Sequence, residues 1–131
     1  MFGHETITSF SEIKLRLTGM RITEVYEILC RGEEAEISLY WLSYKNGEDK
    51  YDLQKRVRVP ADAVIDVLDQ CGVLDWDGFN GANPPHVLDG TMFRFTGVVN
   101  DGKKLRANGS NNFPKHFRDF TGALYRMLNE A

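Results

Sequence analysis

Asn46-Gly47 stands between two alternating runs of apolar and polar residues, and no other feature of the chain constrains its fold as strongly. The type I′ turn of a two-residue hairpin needs positive φ at both central positions, and Asn-Gly adopts that geometry more readily than almost any other pair. Before the turn, residues 36–44 place Ile37, Leu39 and Trp41 on one face and Tyr40, Leu42 and Tyr44 on the other. A strand apolar on both faces is expected to be central and covered on both sides at least in part. After the turn, Tyr51, Leu53, Val57 and Val59 recur, interrupted by Lys55, with Asp52, Gln54, Arg56 and Arg58 facing the other way. Upstream, Ile13, Leu15 and Leu17 alternate with Lys14, Arg16 and Thr18. Gly19-Met20 then reads as a turn, and residues 21–30 are rich in β-branched and aromatic residues. The first half is therefore a β meander.

The pattern changes at Pro60, whose fixed φ suits a helix start. Ala61, Val64, Ile65, Leu68 and Cys71 follow at helical spacing, with Asp62, Asp66 and Asp69 opposite and Gly72 as a left-handed C-cap. Residues 73–86 form a long loop with two aromatics, and residues 87–100 return to strand. Asn100-Asp101-Gly102 is a second hairpin turn, closed by residues 103–107. A polar loop over residues 108–113 then leads to Pro114, the expected opening of a last helix, with Asn112 or its neighbour as N-cap. Its apolar stripe is Phe117, Phe120, Leu124, Tyr125, Met127 and Leu128. The expected class is α+β: an antiparallel sheet of about six strands with two amphipathic helices packed on one face. A single domain is expected over residues 1–131, because the 73–86 loop is too apolar for a linker.

Composition narrows the function classes. Apolar residues are 42% and charged residues 27% of the 131, which is globular. Sixteen Lys and Arg against nineteen Asp and Glu give a net charge of −3. A dedicated nucleic-acid binder carries a basic excess, so nucleic acid is not an expected partner. The longest stretch free of Asp, Glu, Lys and Arg, residues 78–88, holds Pro84 and Pro85 and cannot span a membrane. Residues 1–12 include Glu5 and Glu12 and lack the apolar core of a secretory leader, so the expected location is cytoplasmic. Cys30 and Cys71 have no Cys or His at metal-ligand spacing and read as small buried apolar residues, a disulfide being the alternative.

Candidate chemistry gathers in the two connections of the C-terminal half. Asp75-Trp76-Asp77-Gly78 invites a calcium loop, but Phe79 and His86 occupy the fifth and twelfth positions, where oxygen ligands are needed. No metal site and no cofactor are expected. Trp76 and Phe79 either anchor their loop or form a recognition patch. The histidines, His4, His86 and His116, lack a nucleophile motif. Two basic clusters, Lys55 with Arg56 and Arg58, and Lys103 with Lys104 and Arg106, would form one positive patch if their strands were neighbours.

Residues 73–129 resemble a group of uncharacterised bacterial proteins, mainly from Firmicutes. The resemblance is carried by Trp76-Asp77-Gly78-Phe79, Val87-Leu88-Asp89-Gly90, Asp101-Gly102-Lys103 and Gly109-Ser110-Asn111-Asn112-Phe113-Pro114. It implies a single domain and no activity or site residue.

Both signature connections flank the open end of one hairpin, so they are expected to meet. The candidate ligand or partner residues are Trp76, Asp77, Phe79, Asn80, His86, Asp89, Asn111 and Asn112. Either they lock the two connections together by hydrogen bonds or they line a shallow site. The expected function is that of a small, non-enzymatic binding or interaction domain, inhibitor- or immunity-like, whose partner is another protein or a second copy. The alternative is a hydrolase using Asp75, Asp77, Asp89 and His86.

Overall fold

The computed structural model of the chain describes residues 6–19, 22–81 and 91–130. Four strands, β1 (Phe10–Thr18), β2 (Thr23–Arg31), β3 (Glu34–Lys45) and β4 (Glu48–Pro60), form the meander. Helix α1 (Ala61–Gln70) follows, then a single 3₁₀ turn (Val73–Trp76) and the two-residue strand β5 (Asn80–Gly81). Strands β6 (Met92–Val99) and β7 (Lys103–Ser110) make the second hairpin, and α2 (Phe117–Glu130) ends the described chain. All seven strands join one sheet in the order β4-β3-β2-β1-β6-β7-β5. Every pairing is antiparallel except β5 with β7. The architecture is α+β, and no helix among the described residues is long and apolar enough to cross a membrane.

Both hairpin turns adopt the backbone their residues favour. Asn46 and Gly47 have φ of 55° and 80°, and Asn100, Asp101 and Gly102 have 48°, 61° and 115°. Asn100 also ties down the start of the chain. Its Oδ1 accepts from Thr8 N at 2.8 Å, and its Nδ2 donates to Thr6 O at 2.8 Å. Gly72 supplies the left-handed residue after α1 at φ 65°. Two backbone bonds fasten the ends of this helix: Ala61 N donates to Glu33 O, and Gly72 N to Asp69 O.

The helices cover one face of the sheet. Val64 and Leu68 of α1 and Phe117, Phe120, Leu124 and Leu128 of α2 pack on Ile13, Leu15, Ile28, Ile37, Phe93, Phe95 and Leu105. Tyr26 joins this core, and burial, then Glu24 and Tyr125, push its phenol up to about 12. Cys71 is buried and Cys30 half-buried; both are free thiols.

Several expectations are corrected. The sheet of about six antiparallel strands stands, but the expected loop over residues 73–86 also contributes Asn80–Gly81 as a short parallel seventh at its edge. Strand β3 is second from the edge, not central. Its second apolar face, with Tyr40 and Leu42, has no helix over it, so two-sided apolarity reflected one covered face and one open one. Four strands separate β4 from β7 in the order, so their basic clusters do not merge. Helix α2 begins at Phe117, three residues after Pro114. His116, at φ 67°, turns the chain into it, with Nδ1 2.9 Å from Asp119 Oδ2. Asn112 therefore does not cap this helix.

Candidate functional site

Phe79, Asn80, Asn111 and Asn112 lie toward the open end of the β6–β7 hairpin, whereas Trp76 enters the core and Asp77 lies against Arg106, further along β7. His86 and Asp89 lie outside the described residues. The 3₁₀ turn after Gly72 swings Trp76 into the core, where 2% of it is exposed. Its ring meets Phe95 edge-on at 5.2 Å and Phe120 edge-on at 5.4 Å, and Phe117 lies at 5.6 Å. Its Nε1–H donates to Lys115 O at 3.0 Å, which stitches the turn to the approach of α2. An indole buried with its one donor satisfied is an anchor.

The next residues run along the outer edge of β7. Asp77 Oδ1 accepts from Arg106 N at 2.9 Å, while Gly78 N donates to Arg106 O at 2.8 Å. One residue of β7 thus has both backbone groups held by the connection. Asn108 N donates to Phe79 O at 3.0 Å, and Asn80 and Gly81 then pair with Asn108 and Gly109. The segment shields an otherwise bare sheet edge. Behind it, Phe79 faces Phe93, which packs on Phe113 and Phe117.

The second connection closes the same end. Asn111, at φ 55°, donates its N–H to Thr91 O and accepts from Thr91 N through Oδ1, both at 2.9 Å. The backbone of Asn112 lies so close to Gly81 and Gly109 that a Cβ at either would collide with Asn112 O. The close approach explains why both positions lack side chains. Asp75 is exposed, and the Trp76 side chain beside it fills the interior. Among the described residues no three His, Cys, Asp or Glu side chains stand together as a metal site would require.

The helix-free face of the sheet carries groups that sequence reading alone did not bring together. The register lays its side chains out in rows across six strands, about 24 Å wide at about 4.8 Å per strand. One row reads Tyr51, Leu42, Thr23, Thr18, Met92, Ser110 from β4 to β7, and the next reads Leu53, Tyr40, Val25, Arg16, Arg94, Asn108. These twelve residues include no carboxylate. Tyr51, Leu53 and Met92 are 49%, 48% and 55% exposed. The following rows, Arg56, Ser38, Glu27, Lys14, Thr96, Arg106 and then Arg58, Glu36, Leu29, Glu12, Val98, Lys104, mix both signs.

The two ends of this face differ in how their cations are held. On β4, Arg56 and Arg58 lie 3.6 and 3.5 Å from the Glu36 carboxylate, and Arg56 also donates to Ser38 Oγ and Tyr40 Oη, each at 2.9 Å. Arg16 and Arg94 face each other directly across β1 and β6, and neither has an ion pair or side-chain hydrogen bond among the described residues. A hollow of about 380 Å³ opens beside them, lined also by Thr18, Met92, Asn108 and Ser110. The signal was present in the sequence as Lys14 and Arg16 in β1, the single Arg94 in β6, and Lys104 and Arg106 in β7. Joining them required the pairing of β1 with β6, which no local pattern announces.

Comparison with family models, curated proteins and solved structures finds no match.

Proposed function

We propose that the chain is a non-catalytic interaction domain that binds a protein partner through the open face of its sheet. The observation that carries this reading is the acid-free pair of rows in which Tyr51, Leu53 and Met92 stand half-exposed beside arginines. Tyr, Met and Arg are enriched at protein interfaces, and a sheet face uncovered by helices offers a broad surface for them. An inhibitor- or immunity-like role falls within this class by analogy of architecture alone.

The choice of surface also follows from how the other candidates are used. Asp77, one of the four residues that a hydrolytic Asp75, Asp77, Asp89 and His86 group would use, is already engaged with the backbone of Arg106.

The test is capture from the source cell with three forms of the protein in parallel. The double variant Tyr51→Asp, Leu53→Asp is expected to lose at least about tenfold of the retained partner, as interface hot spots do. Asp66→Lys on the helix side is expected to retain it, with both variants melting within a few degrees of the parent. Equal retention by the double variant, or loss through Asp66→Lys, would place the binding surface elsewhere.

A further inference from the structure

We propose that Arg16 and Arg94 form a site for one dianionic phosphate group carried by a small ligand. Their backbones are direct partners in the β1–β6 register, which puts the Cα atoms about 4.5–5.5 Å apart. Like charges opposed across two strands destabilise the pair. Such an arrangement is commonly relieved by a neighbouring carboxylate, as Glu36 serves Arg56 and Arg58 on β4. Arg16 and Arg94 have none among the described residues: their row holds Val25 on one side and Asn108 on the other. An oxyanion between the two guanidiniums would supply the missing charge.

The chemistry of the hollow narrows the ligand. Two full positive charges match a phosphate dianion, whereas a carboxylate neutralises only one of them. Guanidinium forks bind phosphate oxygens in pairs. Thr18 and Ser110 add hydroxyls and Asn108 an amide around the same hollow, while Met92 gives it an apolar wall. Its volume of about 380 Å³ is that of a small-molecule site. A long polyanion fits less well, because Glu27 and Glu12 stand beside Lys14 in the adjoining rows and would repel its further phosphates. This site lies on the same open face as the protein-binding reading but does not rest on it, and it is tested without a partner.

The experiment is a titration of isotope-labelled protein, followed by amide and arginine Nε–H resonances at neutral pH and constant ionic strength. The probes are inorganic phosphate, phenyl phosphate, acetate and a short oligothymidylate. Saturable shifts at Arg16 and Arg94 are expected with phosphate, and at lower concentration with phenyl phosphate. Acetate is expected to bind about tenfold or more weakly. Arg94→Gln is expected to weaken phosphate binding about tenfold, as loss of a charged hydrogen bond does, while Lys104→Gln changes it less than about twofold. Because Arg94 is exposed and opposed by Arg16, the Arg94→Gln protein should melt no lower than the parent. Unsaturable shifts, equal binding of acetate, or equal loss in Lys104→Gln would overturn the site. Tighter binding of the oligonucleotide with a steep salt dependence would replace it with a polyanion track.

Discussion

Replacing Trp76 by alanine is expected to destabilise the fold by about 3–5 kcal/mol, the range for deleting a large buried aromatic. Three effects combine in that figure. The indole fills the space between Phe95, Phe117 and Phe120, so its removal leaves a cavity that rigid strands cannot collapse into. The Lys115 carbonyl loses its donor, which accounts for about 1 kcal/mol. The 3₁₀ turn also loses its fixed point, so the segment that brackets Arg106 is held less firmly. Urea unfolding followed by circular dichroism measures the total. Trp76→Phe separates the contributions, because it keeps much of the ring contact and loses the hydrogen bond. A loss below about 1 kcal/mol for Trp76→Ala would mean that the indole is not an anchor.

The second large effect is expected at Gly109, where alanine should destabilise by about 3 kcal/mol, the upper range for forced overpacking. A Cβ there would run into Asn112 O and approach Phe93 Cε1 at 2.7 Å. The first obstacle is backbone and cannot rotate away. It belongs to the connection between β7 and α2, so relief would require moving the chain that Asn111 holds against Thr91. Gly102→Ala is the control. A Cβ there meets nothing within 4 Å, although its φ of 115° strains any side chain, and a smaller loss is expected. Denaturant midpoints of the two variants compare them directly; equal losses would show that backbone strain rather than the close approach governs both sites.

These expectations indicate what sequence could and could not reveal here. Asn46-Gly47 and Asn100-Asp101-Gly102 announced their turns because positive φ is a local demand that few residues meet. The helix Ala61–Gln70 was likewise legible, since its apolar stripe and the left-handed Gly72 beyond it are local, although Pro60 ends β4 and precedes the helix rather than opening its first turn. Strand order was not. Two apolar faces on β3 suggested a central position, yet its outer face simply lacks a covering layer. The start of α2 was placed too early because Pro114 suits a first helical turn, while the left-handed His116 postpones it. For the candidate site, the meeting of the two connections followed from the hairpin between them. The same hairpin geometry did not show that Asp77 would be spent on the backbone of Arg106, since that depends on where the edge of the sheet falls. The Arg16–Arg94 pair was hidden for a related reason: it exists only because β1 sits beside β6.

The central claim is that the polar and aromatic residues of the two C-terminal connections are architecture, which leaves the open sheet face as the surface for binding. Native-state hydrogen exchange at Gly78, Arg106, Asn108 and Asn111 tests it most directly, because these amides bond only across the connections. Their exchange is expected to require an opening free energy close to that of global unfolding, as for the central strands β1 and β6. Exchange near the rate of an unstructured peptide at these four amides, with β1 and β6 still protected, would contradict the claim.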